Sequence, residues 1–296
     1  MSSADRVADL VAARGRAKVA RLPATVISPS GRVRSEQRVA GEEPLEIRLG
    51  SPLVEPTTVN VTMRTPGDDF ELAVGWCVTE GLLPQPVELA EVKYCVRTGD
   101  TDPSAGRPVQ NYNVVSVVAR HHHGGHSRRA HTTSSSCGIC GTESLEALQL
   151  RTPTVSADRG PAIERGILVG LPDRLRTQQR TFDATGGSHA AGLFRPDGSA
   201  FVIREDVGRH NAVDKVIGHA AVNRRLPLTD HVLMVSGRVS FEIVQKAAMA
   251  GIAVMAAVSA PTDLAIDAAD RMGLTLATFV RGDSATVWTH DHRITD

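Results

Sequence analysis

The residues best suited to do chemistry are two cysteines three positions apart, in the run Ser134-Ser135-Ser136-Cys137-Gly138-Ile139-Cys140-Gly141. Such a CxxC pair can share a metal, exchange a disulfide, or hold one sulfur as a persulfide. A zinc site needs two further ligands, and Cys77 and Cys95 have neither the partner spacing nor a neighbouring histidine. A thioredoxin-like motif needs an apolar strand directly upstream and a helix opening at the first cysteine. Here the upstream residues are Thr and Ser, and a helix is expected only at about 142–150, with Thr142 as its N-cap. The positive end of that helix, with Arg128 and Arg129, favours thiolate, while Glu143 and Glu146 oppose it. A thiol approached through a flexible polar run suits presentation to large partners. The plainer alternative is a pair of structural cysteines that happen to be close.

Four other segments carry polar groups in patterns that suit a ligand. Thr185-Gly186-Gly187-Ser188-His189 has paired glycines that let backbone N–H groups turn towards an anion, beside a histidine able to donate or relay a proton. Gly-Gly is also the commonest kind of plain turn. Arg204-Glu205-Asp206-Val207-Gly208-Arg209-His210-Asn211-Ala212-Val213-Asp214-Lys215 leaves a strand, turns at Gly208 and enters a helix. Val213, Val216, Ile217 and Ala220 form the core stripe of that helix, and Asn211 and Lys215 share another face. Polar groups between a strand's carboxyl end and a helix's amino end suit an anionic ligand; they equally suit a solvated helix start. Ser236-Gly237-Arg238 follows a strand directly, where open parallel sheets bind ligands, although Ser236 also fits a simple N-cap. Phe279-Val280-Arg281-Gly282-Asp283-Ser284 reads as a tight turn between strands with one cation and one anion. Finally, 119–136 holds His121, His122, His123, His126 and His131 without an apolar period; it is expected to be a mobile loop whose histidines are not an organised metal site.

The elements that must position these groups follow from periodicity. Residues 1–24 are expected to form a flexible tail, and 25–150 an α+β subdomain ending in the mobile loop and the CxxC pair. Alternation from Ala24 through Leu49 predicts short antiparallel strands, Val59–Met63 another, then a helix from Asp69 to near Gly81, and strands around 92–96 and 112–118. In 151–296, strands at 201–203, 231–235, 252–258 and 274–280 alternate with helices at 209–222, 239–250 and 262–272, and 284–288 is a last strand. This α/β alternation predicts right-handed crossovers and a largely parallel sheet covered on both faces.

Composition sets the class. The 296 residues carry 33 Lys+Arg and 33 Asp+Glu, so there is no basic excess to release counterions from nucleic acid. Only 3% are aromatic, which leaves little to stack on bases and requires an aliphatic core. No apolar run reaches the length of a membrane span, and the amino terminus lacks the apolar core of a secretory signal. Four cysteines are too few for a disulfide scaffold, so the expectation is a cytoplasmic protein that contacts neither membrane nor nucleic acid.

Taken in order, Cys137-x-x-Cys140, Gly186-Gly187-Ser188-His189-Ala190-Ala191, the 204–215 string and Ser236-Gly237-Arg238-Val239-Ser240-Phe241-Glu242-Ile243-Val244-Gln245-Lys246 resemble the FdhD family, over roughly residues 25–290. These are formate dehydrogenase accessory proteins that act as sulfur carriers. The resemblance implies a C-terminal cytidine-deaminase-like α/β/α sandwich, a homodimer, and a sulfurtransferase role in which Cys137 carries a persulfide received from a cysteine desulfurase. The sulfur then passes to the bis(molybdopterin guanine dinucleotide) form of the molybdenum cofactor before insertion into formate dehydrogenase. The family's cofactor-binding stretch falls on Phe279–Ser284, and GDP is the expected surrogate ligand.

No His-x-Glu occurs and no Pro precedes Cys137, so the zinc-water machinery of the nucleobase deaminases is missing and no zinc is expected. Around the stretch 279–284, the residues Gly186, Gly187, His189, Arg204, Arg209, Asn211, Lys215, Ser236 and Arg238 are expected to complete the cofactor site, with the cations meeting its phosphates. Cys140 is suited to resolve the persulfide as a disulfide or to hold a second sulfur. Two other readings stay open: a cofactor-binding chaperone of formate dehydrogenase with structural cysteines, and a zinc-independent dithiol oxidoreductase.

Overall fold

The computed structural model describes residues 17–83, 87–101, 108–120, 131–132, 154 and 160–296. Cys137, Cys140, the helix expected at 142–150 and the histidines at 121–126 lie outside the described residues. Strand β1 (Val19–Ser28) pairs with β2 (Gly31–Ala40) as an antiparallel hairpin in which Val26 faces Val33. The stretch expected as a tail to residue 24 is thus already strand from Val19, because Ala20, Leu22 and Ala24 alternate with Arg21, Pro23 and Thr25. Strands β3 (Glu43–Ser51) and β4 (Val54–Arg64) form a second hairpin, and helix α1 (Asp69–Thr79) follows. Then come β5 (Leu89–Thr101), β6 (Pro108–Ala119) and β7 (His131–Thr132), giving a five-stranded sheet of order β5-β6-β3-β4-β7. His131, expected in a mobile loop, stands in β7 and pairs with Asn60 of β4.

The second half opens with β8 (Ile163–Glu164), α2 (Arg165–Arg176) and α3 (Arg180–Thr185). Strands β9 (His189–Phe194) and β10 (Ala200–Asp206) lead into α4 (Arg209–Val222). Next are β11 (Val232–Val235), α5 (Phe241–Met249), β12 (Val254–Ala257) and α6 (Asp263–Met272). Strands β13 (Thr275–Arg281), β14 (Ser284–Thr289) and β15 (Ile294–Thr295) follow, β15 pairing with β8.

The large sheet has the order β10-β9-β11-β12-β13-β14. Only β11, β12 and β13 run parallel; β9, β10 and β14 join as antiparallel neighbours. The largely parallel sheet read from the sequence is therefore a mixed one. The connections at 195–199 and 282–283 are too short for a crossover and must turn the chain straight back. Alternate side chains cover both faces: Leu193, Leu233 and Met255 meet α4, α5 and α6, while Phe194, Met234 and Val254 meet Leu168, Leu171 and Leu175 of α2.

Helix α1 is buried along nearly its whole length because it lies between the N-terminal sheet and α4. The two helices cross where each has a glycine. A methyl on Gly75 would fall within the carbonyl group of Asp214, and one on Gly218 within that of Glu71. Buried polar groups surround this contact. Thr79 Oγ1 donates to Asp214 Oδ1 at 2.7 Å, and Lys246 Nζ donates to the same oxygen at 3.0 Å. Burial pushes Asp214 up while Lys246 opposes it. Lys246 itself, against its own burial, is held above the ordinary lysine range by the carboxylate. The sequence requirement is sharp: Gly75→Ala forces backbone against side chain with no rotamer to yield, and should cost about 3 kcal/mol or more. Urea unfolding of Gly75→Ala should show a lower midpoint with unchanged slope; an unshifted midpoint would mean that the helices separate freely.

Candidate functional site

Strand direction decides what gathers at one edge of the large sheet. The parallel strands β11, β12 and β13 end there, and antiparallel pairing brings the start of β9 and the end of β10 to the same edge, Asp206 opposite His189. Backbone bonds tie the loops together. Val239 N donates to Ala260 O, Thr262 N to Val239 O, Val258 N to Val235 O, and Phe279 N to Ser259 O. Ser236 is fixed from both sides, its N–H on Ala190 O and its Oγ accepting from Ala190 N at 2.9 Å. It is therefore a strand-pairing residue, and the N-cap of α5 is Ser240.

Gly237 brings two site residues together: a Cβ there would lie 3.3 Å from His189 Nδ1 and 3.6 Å from Arg209 Cβ. Burial chiefly, and then the charge of Arg209, holds His189 below the ordinary histidine range. At neutral pH it is thus an uncharged imidazole that can donate or accept. The Nε of Arg209 is buried and has no hydrogen-bond partner among the described residues. Arg209 opens α4, whose first turn has no acid and no side-chain cap, so a cationic side chain stands at the positive end of the helix. Next to it, His210 Nε2 lies 3.2 Å from Glu242 Oε2 and 3.3 Å from Ser240 Oγ, linking the starts of α4 and α5. This link was missed from the sequence, although both residues stand in first turns after neighbouring elements.

The far end of the edge is the β13–β14 turn. Arg281, Gly282, Asp283 and Ser284 are exposed, and Val280 is buried in the core. Phe279 has φ 53, in the left-handed region, where the pairing of β13 and β14 shifts. That conformation costs a bulky residue about 1–3 kcal/mol and is concentrated at ligand-binding segments. Gly186 ends α3 with a left-handed φ of 65, and Gly187 sits beside Ala40 at the base of the β1–β2 hairpin. Arg238 is exposed on the loop after β11.

Three of the expected ligand contacts are instead committed internally. Arg204 makes a two-pronged ion pair with Glu71, at 2.6 and 2.8 Å. Lys215 is fully buried, 2.7 Å from Asp206 Oδ2 and donating to Thr65 O at 3.0 Å. Asn211 donates to Met63 O and to Asp206 Oδ1. Each reaches a residue of the N-terminal half more than a hundred positions away, so no local pattern could reveal it. Cys137 and Cys140 lie outside the described residues, and among those residues no group of three or more His, Cys, Asp or Glu is placed to hold a metal. Cys77 is fully buried, and burial pushes its thiol far up, so it is inert.

With this geometry fixed, the arrangement can be set beside known proteins. Its fold is that of a solved structure described as a formate dehydrogenase accessory protein, from Desulfotalea psychrophila. The TM-score is 0.70, over 94% of this chain and 100% of that one, at 23% identity. The FdhD/NarQ family matches residues 40–295, and the chain belongs to it. Similar relatives are the protein named sulfur carrier protein FdhD in Streptomyces avermitilis, 49% identical over 86% of this chain and 88% of its own length. The protein of that name in Mycolicibacterium paratuberculosis is 47% identical over 86% and 90%. No helix among the described residues is long and apolar enough to cross a membrane.

The state of His189 can be tested directly. In an NMR titration its ring should change charge below pH 6.5, the ordinary value. Arg209→Ala should raise the midpoint only part of the way back, because burial is the larger cause. The unfolded chain takes up that proton more readily, so His189 lowers folded stability as pH falls through about 6.5. A midpoint at or above 6.5 in the native protein would remove the neutral imidazole from the edge.

Proposed function

We propose that this protein is a sulfur carrier for formate dehydrogenase, loading sulfur on Cys137 as a persulfide and delivering it to the bis(molybdopterin guanine dinucleotide) cofactor. The single observation that carries the reading is the convergence of His189, Arg209, Gly237-Arg238, the 258–262 loop and Phe279–Ser284 on one sheet edge, in a chain of the FdhD/NarQ family. The names borne by its relatives agree with it. The family reading adds a cytidine-deaminase-like sandwich for the C-terminal half, a cytoplasmic location and a homodimer as the working form; the mixed sheet covered by helices on both faces supports the first of these.

The chemistry is a sulfane transfer. The Cys137 thiolate attacks the outer sulfur of a persulfide on a cysteine desulfurase, one S–S bond forms as another breaks, and the desulfurase leaves as thiolate. For delivery, the Cys140 thiolate attacks Cys137 sulfur, forming a disulfide and releasing the outer sulfur as sulfide; two external thiols then reduce the pair by successive exchange and leave as their own disulfide. The cofactor is substrate here, a large multiple anion with two guanines. We assign its phosphates to Arg209, Arg238 and Arg281, the cations of the edge, because Arg204 and Lys215 are engaged in the framework. The half-buried Phe279 offers apolar contact to a base.

Two experiments test this reading. After incubation with cysteine desulfurase and cysteine, mass spectrometry should find an added sulfur on Cys137; Cys137→Ala should lose both that sulfur and formate dehydrogenase maturation while folding normally. An alanine variant that matures the enzyme fully would leave a cofactor-binding chaperone as the function. In calorimetric titration with GDP, Arg281→Ala and Arg209→Ala should each weaken binding roughly 10- to 100-fold, the equivalent of about 1.5–3 kcal/mol for a charged hydrogen bond. Unchanged affinity in both variants would move the nucleotide away from this edge.

A further inference from the structure

We propose that the β1–β2 hairpin is a docking arm for an acidic protein surface. Strands β1 and β2 pair only with each other among the described residues. An isolated two-stranded hairpin is marginally stable by itself; α3 packs against this one, Leu22, Ala24 and Ser35 are half-buried, and residues 25–34 are all exposed. Its register separates two faces. Residues Ala20, Leu22, Ala24, Val26, Val33 and Val39 share one side; Arg21, Thr25, Ile27, Arg32, Arg34 and Arg38 share the other, with Glu36 its one acid.

The cationic face is not satisfied internally. Arg21 lies directly opposite Arg38, a like-charge pairing that costs stability. Arg21 reaches Glu36 at 3.6 Å, while Arg32, Arg34 and Arg38 make no ion pair among the described residues. The tip is apolar as well as basic, with Ile27 69% and Val33 64% exposed. Arginine beside exposed aliphatic side chains is the composition of a protein interface. From Arg38 to Arg32 the face runs six residues, about 20 Å at the usual strand rise. That spread suits an extended surface with several carboxylates and not one pyrophosphate, which needs its cations at a single point. With no net positive charge on the chain, bulk attraction to nucleic acid is absent too. Position supports docking: the hairpin ends at Ala40, against Gly187, two residues from His189. A protein held on the arm is therefore beside the sheet edge.

The test uses the full chain and the triple variant Arg32→Glu/Arg34→Glu/Arg38→Glu. Association with purified cysteine desulfurase and with formate dehydrogenase is followed by biolayer interferometry at about 50 and 200 mM salt, where screening differs. The wild type should bind at least one of the two with a rate that falls with salt. The variant should associate at least about 10-fold more slowly and lose most of that salt dependence. Its GDP affinity should stay as in the wild type, and Arg32→Lys/Arg34→Lys/Arg38→Lys should associate nearly normally. Three results would overturn the proposal: equal association of wild type and variant with both proteins, a wild type that shows no salt-dependent binding to either, or a loss of GDP affinity in the variant. Failure of the sulfur-carrier reading would appear separately, as wild type without persulfide on Cys137.

Discussion

Everything on the candidate edge depends on the crossing of α1 and α4. Backbone touches backbone at Gly75 and Gly218, which brings the helices closer than any side chain at either position would permit. That approach places Thr79 within hydrogen-bond reach of Asp214, and α1 beside α4 along its length. The same approach aligns the chain before α1 with the start of α4, so that Thr65 N–H meets Asp206 and Val207 N–H meets Thr65 Oγ1. The interior charges there are costly to bury and costly to break singly, since removing one partner strands the other. They fix which way the halves meet more than they add to stability.

The string Arg204–Lys215 divides its polar residues between two tasks. Arg204 fastens Glu71, Asp206 fastens Thr65 and Lys215, and Asp214 fastens Thr79 and Lys246. Glu205 accepts from the N–H groups of Thr181 and Phe182 and from Ser188 Oγ, capping α3. What remains for a ligand is Arg209, at the head of the helix, since His210 is joined to Glu242 and Ser240. A segment so rich in charge reads as a binding motif throughout, yet most of it is joinery between elements distant in sequence.

That division marks where sequence reasoning stops. Helix α4 matches the expected span because Val213, Val216, Ile217 and Ala220 set its period, and all four are buried. The edge itself was legible, since strands alternating with helices place their following loops together. Helix α2 was not seen: Gly166, Gly170 and Pro172 argue locally against it, and only the burial of Leu168, Leu171 and Leu175 against the sheet outweighs them. Strand β9 was hidden because Ala190, Ala191 and Gly192 are small and lack any β signature; its place between β10 and β11 comes from its neighbours. The internal partners of Arg204 and Lys215 were out of reach, being contacts made only once the halves have met.

The end of β10 has a mechanical consequence. Three consecutive side chains there, Arg204, Glu205 and Asp206, grip three separate parts of the chain: helix α1, helix α3 and the turn at Thr65. Such a triple anchor makes this end of the strand a fixed post, from which His189 and Arg209 take their positions. The opposite wall is fastened differently, for the turn at Arg281–Ser284 is exposed and joined to the rest chiefly through its own two strands. The two ends of the edge are therefore held unequally, one pinned by side chains to three distant segments and the other carried by the backbone pairing of a single hairpin.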